Sequence, residues 1–81
     1  MDAATVTTLL LDHLENCEVE VQGEGANYDI TVIGDVFEGL RPVKKQQIVY
    51  AALSEHIAQG SIHAVNIRTY TPAQWQDASG A

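Results

Sequence analysis

The chain has 81 residues, of which 46% are hydrophobic and 19% are charged, as in ordinary globular domains and unlike disordered or fibrous segments. Eleven acidic residues against four basic ones give a net charge of -7, which opposes non-specific binding to nucleic acid. One cysteine excludes an internal disulfide, and no apolar run is long enough to span a bilayer. We expect one cytoplasmic domain over residues 1–81, with an ordered core of about 4–77 and no membrane association.

A helix and a β-hairpin are predicted in the first half of the chain. Apolar residues recur at three- and four-residue steps between residues 4 and 14, as on one face of a helix. Residues 17–22 and 28–33 instead alternate apolar and polar side chains, which is typical of strands with one solvated face. The glycines and Asn27 at 23–27 suit the turn between two antiparallel strands.

A long helix is predicted after Pro42, because the fixed φ of proline suits the first helical turn. Helical spacing predicts a buried stripe along it, made of Val43, Gln46, Tyr50, Leu53 and Ile57. Lys44 and Lys45 lie off that stripe, so we expect both to be exposed. With Arg41 they form a candidate basic patch, although exposed lysines are often merely solvated.

A third strand is predicted at 62–69, with His63, Val65 and Ile67 on one face and Arg68, the remaining cation, on the other. A short helix carrying Trp75 then begins at the capping sequence 71–74. Because the long helix joins the second strand to the third, those two strands are expected to be parallel. The order α-β-β-α-β-α predicts an α+β fold in which a mixed three-stranded sheet packs on helices.

The sequence contains no convincing catalytic arrangement, so we expect the protein not to be an enzyme. The three histidines show no ligand spacing, and the CxxC, HExxH, GxSxG and P-loop patterns are absent. Cys17 lies beside Glu18, which disfavours a reactive thiolate. His63 is expected at the rim of the sheet, where an imidazole can ligate a metal or serve as an ordinary structural histidine.

Two stretches, residues 36–50 and 62–75, carry a resemblance to the BolA-like family, and Lys44-Lys45-Gln46-Gln47 is similar to its IbaG branch. The resemblance implies a type II KH-like fold and no catalysis. It also implies a monothiol glutaredoxin partner, with which such proteins share a 2Fe-2S cluster held together with glutathione. No cofactor is then expected in the isolated chain. The implied role is iron-sulfur trafficking or a response to iron or acid stress.

The resemblance also suggests which residues would ligate the cluster. His63 matches the C-terminal histidine ligand of the family, whereas Asn27 stands near the hairpin position where the family usually has a histidine or cysteine. Since an amide is a poor iron ligand, Cys17 is an alternative, and a cluster-free complex also remains open. A homodimer remains open as well.

A second hypothesis is a KH-like transcriptional regulator that binds nucleic acid through Arg41, Lys44, Lys45 and Arg68. The chain lacks a clear GxxG loop, and its net charge is -7. We therefore expect weak nucleic-acid binding or none.

Overall fold

The computed structural model describes residues 1–79. In chain order it contains helix α1 (Ala3–His13), strands β1 (Cys17–Glu24) and β2 (Asn27–Gly34), a single 3-10 turn (Asp35–Phe37), helix α2 (Pro42–Ala58), strand β3 (Ala64–Tyr70) and helix α3 (Pro72–Ser79). The predicted α-β-β-α-β-α order is confirmed. None of the helices within residues 1–79 is long and apolar enough to cross a membrane.

The sheet is mixed, as predicted from the helical link between its second and third strands. Its order is β1-β2-β3, with β1 antiparallel and β3 parallel to β2. Both hairpin strands extend further than the sequence indicated, so Asn27 is the first residue of β2 and only Gly25 and Ala26 form the turn. Asn27 is thereby held in the sheet register beside the start of β3.

The core lies between one face of the sheet and helices α1 and α2. Tyr28, Ile30 and Val32 of β2 are at most 3% exposed and form its centre. The helices and the connecting segments cover them with further fully or largely buried side chains: Val6, Leu10, Leu14, Phe37, Val49, Leu53 and Ile62. Helix α3 instead reaches the opposite face of the sheet, where Trp75 packs edge-on to Tyr70 with ring centroids 5.2 Å apart.

The predicted buried stripe of α2 is only partly correct: Leu53 is buried and Ile57 packs against the core, as predicted, but Val43 and Tyr50 are exposed. Val49 and Leu53 are fully buried, whereas Val43 is 67% and Tyr50 45% exposed. Both helix faces carry apolar residues at helical spacing, so the period alone did not select the buried face. The rest of residues 1–79 leaves the face with Val43 and Tyr50 uncovered.

Candidate functional site

His63 lies immediately before β3, which begins two residues later than the strand predicted at 62–69, and it is exposed. Its backbone N–H donates to the carbonyl oxygen of Ala26 at 2.7 Å, and the N–H of Ala64 donates to the same oxygen at 3.1 Å. These two hydrogen bonds, which share one acceptor, hold the segment after α2 against the hairpin turn. The imidazole is therefore attached to a fixed backbone position while its ring faces solvent.

The hairpin turn is held from a second direction by Tyr28, whose ring is buried. The Tyr28 hydroxyl donates to the carbonyl oxygen of Gly25 at 2.7 Å. Gly23 adopts a φ of 127°, and a Cβ at this position would collide with the carbonyl oxygen of Asn27. The sequence Gly23–Asn27 thus sets the path of the chain next to His63.

The structure brings Asn27 and His63 together although they are far apart in sequence. Asn27 is the register partner of Ala64, the residue after His63. Strand spacings of about 4.8 Å across and 3.3 Å along the sheet place the two Cα atoms roughly 6 Å apart. Both side chains are exposed. The backbones of His63 and Asn27 therefore lie side by side at this rim of the sheet, and of their two side chains only the imidazole is a good donor to iron.

Cys17 lies at the opposite end of the hairpin, where it is the register partner of Gly34. Cys17 is beside Gly34, whereas His63 is beside Asn27 at the other end of β2. At about 3.3 Å per residue these two ends are roughly 23 Å apart, so Cys17 and His63 do not reach the same metal centre. The Cys17 Sγ donates to the carbonyl oxygen of Glu15 at 3.4 Å. Burial raises the pKa of this thiol, and the charge of Asp35 raises it further, which disfavours the thiolate that binds metals.

The four predicted nucleic-acid-binding residues do not form one patch. Arg41 and Lys44 are exposed at the start of α2, but Lys45 is half-buried, contrary to the expectation that both lysines are exposed. Arg68 is the register partner of Thr31, and it alternates with Val65 and Ile67, which pack against the core. Arg68 therefore lies on the sheet face away from α2, so the exposed cations beside this helix are reduced to two.

One residue of α2 has a role that sequence periodicity did not indicate. The Gln46 Nε2 donates to the backbone carbonyl oxygen of Ile67 at 2.8 Å. β3 is an edge strand, so this bond covers one of its outward-facing carbonyl groups. It also fixes the first turns of α2 against the middle of β3.

Metal binding by this chain alone receives no support from the geometry. Within residues 1–79, no group of three or more His, Cys, Asp or Glu side chains is placed to hold a metal ion. His63 and Asn27 together offer one strong and one weak donor. A metal ligated by His63 would therefore take further ligands from a partner.

These features define a small α+β protein with a mixed three-stranded sheet and an exposed histidine before its last strand. The model of the BolA-like protein family matches residues 8–74, and the chain belongs to this family. It is 43% identical over 75 residues to the acid stress protein IbaG of Escherichia coli K12, covering 93% of this chain and 89% of that protein.

Solved structures agree with the fold. A BolA protein homologue from Coxiella burnetii superposes with a TM-score of 0.83 at 27% identity, covering 94% of this chain and 97% of that chain. A Bol-like protein from Babesia bovis gives a TM-score of 0.82 at 23% identity, covering 96% and 93% of the two chains. The element order and sheet topology described above are those of BolA structures.

Proposed function

We propose that this protein is a non-enzymatic, cytoplasmic partner of a monothiol glutaredoxin, and that their complex bridges a 2Fe-2S cluster ligated by His63. The role that follows is iron-sulfur trafficking or a response to iron or acid stress. Family membership supports the partner class, and the name of the Escherichia coli relative supports the link to acid stress.

The observation that carries the proposal is the exposed His63 on a backbone clamped to the hairpin turn. A bridging ligand has to be accessible to a second protein and yet fixed in position. The 2.7 Å bond from the His63 N–H to the Ala26 carbonyl oxygen meets the second requirement, and the exposure of the side chain meets the first. Such preorganisation lowers the ordering cost when a partner supplies the remaining ligands.

The donor set at this rim fits a cluster at one position and not at the other. The neutral His63 imidazole suits iron, whereas the Asn27 amide oxygen prefers harder cations. When bound, a cluster with a histidine ligand has a higher reduction potential than one held by thiolates alone. The role of this chain is then to present one imidazole while glutaredoxin and glutathione supply the thiolates, and the cluster is expected to be weakly held.

The test is anaerobic co-purification of the chain with a monothiol glutaredoxin and glutathione, followed by iron, sulfide and visible absorption measurements. We expect a coloured heterodimer that contains two iron and two sulfide per complex, because the two proteins share one 2Fe-2S cluster. His63→Ala should change the visible spectrum and lower the retained iron. His13→Ala is the matched control, because His13 is also exposed but lies at the end of α1.

Two results would contradict the proposal in different ways. If wild-type protein and glutaredoxin do not associate with or without iron, the partner assignment fails. If they associate and the spectrum of His63→Ala matches that of His13→Ala, then His63 is not a ligand. Circular dichroism of both variants distinguishes ligand loss from misfolding.

A further inference from the structure

Helix α2 exposes an apolar face that the described part of the chain leaves uncovered. Val43 is 67% and Tyr50 45% exposed, and both line one shallow groove along the helix with Gln47 and Ser54. Seven residues separate the two apolar side chains, so they lie on the same side of the helix about 10 Å apart. Single exposed apolar side chains are normal, whereas contiguous apolar surface marks interaction sites, and these two side chains share one groove.

The charges around this α2 face specify the kind of partner. Arg41 and Lys44 are exposed at its N-terminal end, on a chain whose net charge is -7. Between residues 35 and 45 three basic side chains (Arg41, Lys44 and the half-buried Lys45) outnumber two acidic ones (Asp35 and Glu38), so this end of α2 is locally positive, opposite in sign to the whole molecule. A protein with an apolar patch and an acidic rim is complementary to it.

The α2 face continues toward the candidate ligand. Gln46 lines the same groove and donates to the carbonyl oxygen of Ile67 at 2.8 Å, so the groove borders the edge of β3. From Ile67 back to His63 the chain is extended for most of its length, about 13 Å at 3.3 Å per residue. A protein interface of about 800 Å² per partner is roughly 30 Å across, so one partner can cover both regions.

A partner held only at the rim would gain little affinity before a cluster is present. His63 and Asn27 are exposed polar residues on a narrow turn, whereas interfaces depend on a few large apolar or aromatic anchors. Tyr50 and Val43 provide such apolar anchors, and they lie close enough to His63 for one partner to cover both. We propose that the α2 face docks the same glutaredoxin that ligates a cluster with His63, and that it does so with or without the cluster. This inference rests on the proposed function.

Calorimetric titration with a monothiol glutaredoxin, without iron, tests the docking surface. We expect Tyr50→Ser and Val43→Ser each to weaken binding at least tenfold, and Lys44→Glu to weaken it and reduce its salt dependence. Binding of His63→Ala should be unchanged in this cluster-free assay. The matched controls are Leu11→Ser, an exposed apolar residue of α1 that is 49% exposed, and Arg68→Glu on the other sheet face, both expected to bind like wild type.

The outcomes separate this inference from the proposed function. If wild-type protein binds glutaredoxin and the Tyr50 and Val43 variants bind equally well, the docking surface is wrong while the partner assignment stands. If binding fails both with and without a cluster, the proposed function fails first. Sedimentation of the chain alone provides a further check, since self-association abolished by Tyr50→Ser would assign the α2 face to a homodimer and overturn the inference.

Discussion

Gly34→Ala tests whether the single cysteine has a packing role at the end of the sheet opposite His63. A Cβ built on Gly34 lies 2.5 Å from the Cys17 Sγ but 3.4 Å from the Cys17 Cβ. The backbone of Gly34 is extended, with φ of -172° and ψ of 155°, so alanine introduces no backbone strain. The collision is therefore with one sulfur atom, and Cys17→Ala should remove it.

The expected change in the free energy of unfolding caused by Gly34→Ala follows from two opposing effects. Overpacking of this kind costs about 1–3 kcal/mol, and replacing glycine by alanine in a compatible conformation returns about 0.4–1 kcal/mol through the unfolded state. Gly34→Ala alone should therefore lose between about 0 and 2.6 kcal/mol of stability, so the coupling with Cys17→Ala is the more decisive measurement. Rotation of Cys17 about χ1 relieves part of the collision but breaks the contact between its Sγ and the Glu15 carbonyl oxygen, and the loss then falls at the lower end of that range.

Urea unfolding of wild type, both single variants and the double variant measures the coupling between the two sites. The double variant should be more stable than the sum of the single changes predicts, by about 1–3 kcal/mol. In a domain of this size, each 1 kcal/mol corresponds to a shift of roughly 4–8 °C in Tm. Additive losses within about 0.5 kcal/mol would refute the packing assignment of Cys17. Cys17→Ala should also leave the glutaredoxin complex unchanged, since Cys17 is remote from His63.

Three further predictions concern the ligand rim, the cations and the first helix. Asn27→His adds a second imidazole on the rim beside His63, so the complex should lose its cluster several-fold more slowly under an iron chelator, and an unchanged half-life would count against Asn27 as a ligand position. Nucleic-acid binding should be weak, with a salt slope of about -0.9 per phosphate contacted, and submicromolar binding at physiological salt that Lys44→Glu abolishes would contradict this. The backbone N–H of Thr5 donates to the Asp2 carboxylate and lowers the pKa of Asp2. The resulting stabilisation is present above the unfolded pKa of about 3.9 and is lost as pH falls through the lower folded pKa. Between pH 7 and 2.5 the Tm of wild type should therefore fall by more than the Tm of Asp2→Asn does.

Much of the fold could be predicted because the strand and helix periods differ. The alternation in β1 and β2 and the capping residues of α3 are local signals, and both are present in the structure. The Thr71 hydroxyl accepts from the Gln74 N–H at 3.2 Å, while the Gln74 side chain accepts from the Thr71 N–H at 2.9 Å. The parallel pairing followed from the length of α2, since a helical crossover is the usual connection between parallel strands.

The errors in the predicted core arise where local sequence does not determine tertiary contact. Phe37 is fully buried from a 3-10 turn, in a segment whose short length carries no periodic signal. In α2 the competing stripes through Val43 and Val49 both satisfy helical spacing. Val49 is buried because the 3-10 turn and α1 pack on its side of the helix, which only the assembled fold determines.

The candidate site, like the core, could be predicted from the sequence only in part. The resemblance to a family singled out His63 and the hairpin position of Asn27, and the register of β2 with β3 then accounts for their proximity. The position of Cys17 could not be inferred, because its distance from His63 depends on the length of the hairpin and on which end faces β3. Arg68 was grouped with the α2 cations by charge, whereas strand alternation places it on the other sheet face.

The location of His63 on an exposed rim bears on what the proposed complex would do with a cluster. An imidazole in a closed pocket would shield iron from exchange, whereas one on a turn leaves the metal open to competing thiolates as soon as the partner moves. Asn27 adds little retention, because its amide is a weak donor to iron. If the α2 face supplies most of the protein–protein affinity, association and cluster retention are set by different residues. The complex then persists after the cluster has left, which is the behaviour required of a protein that passes a cluster on and does not store it.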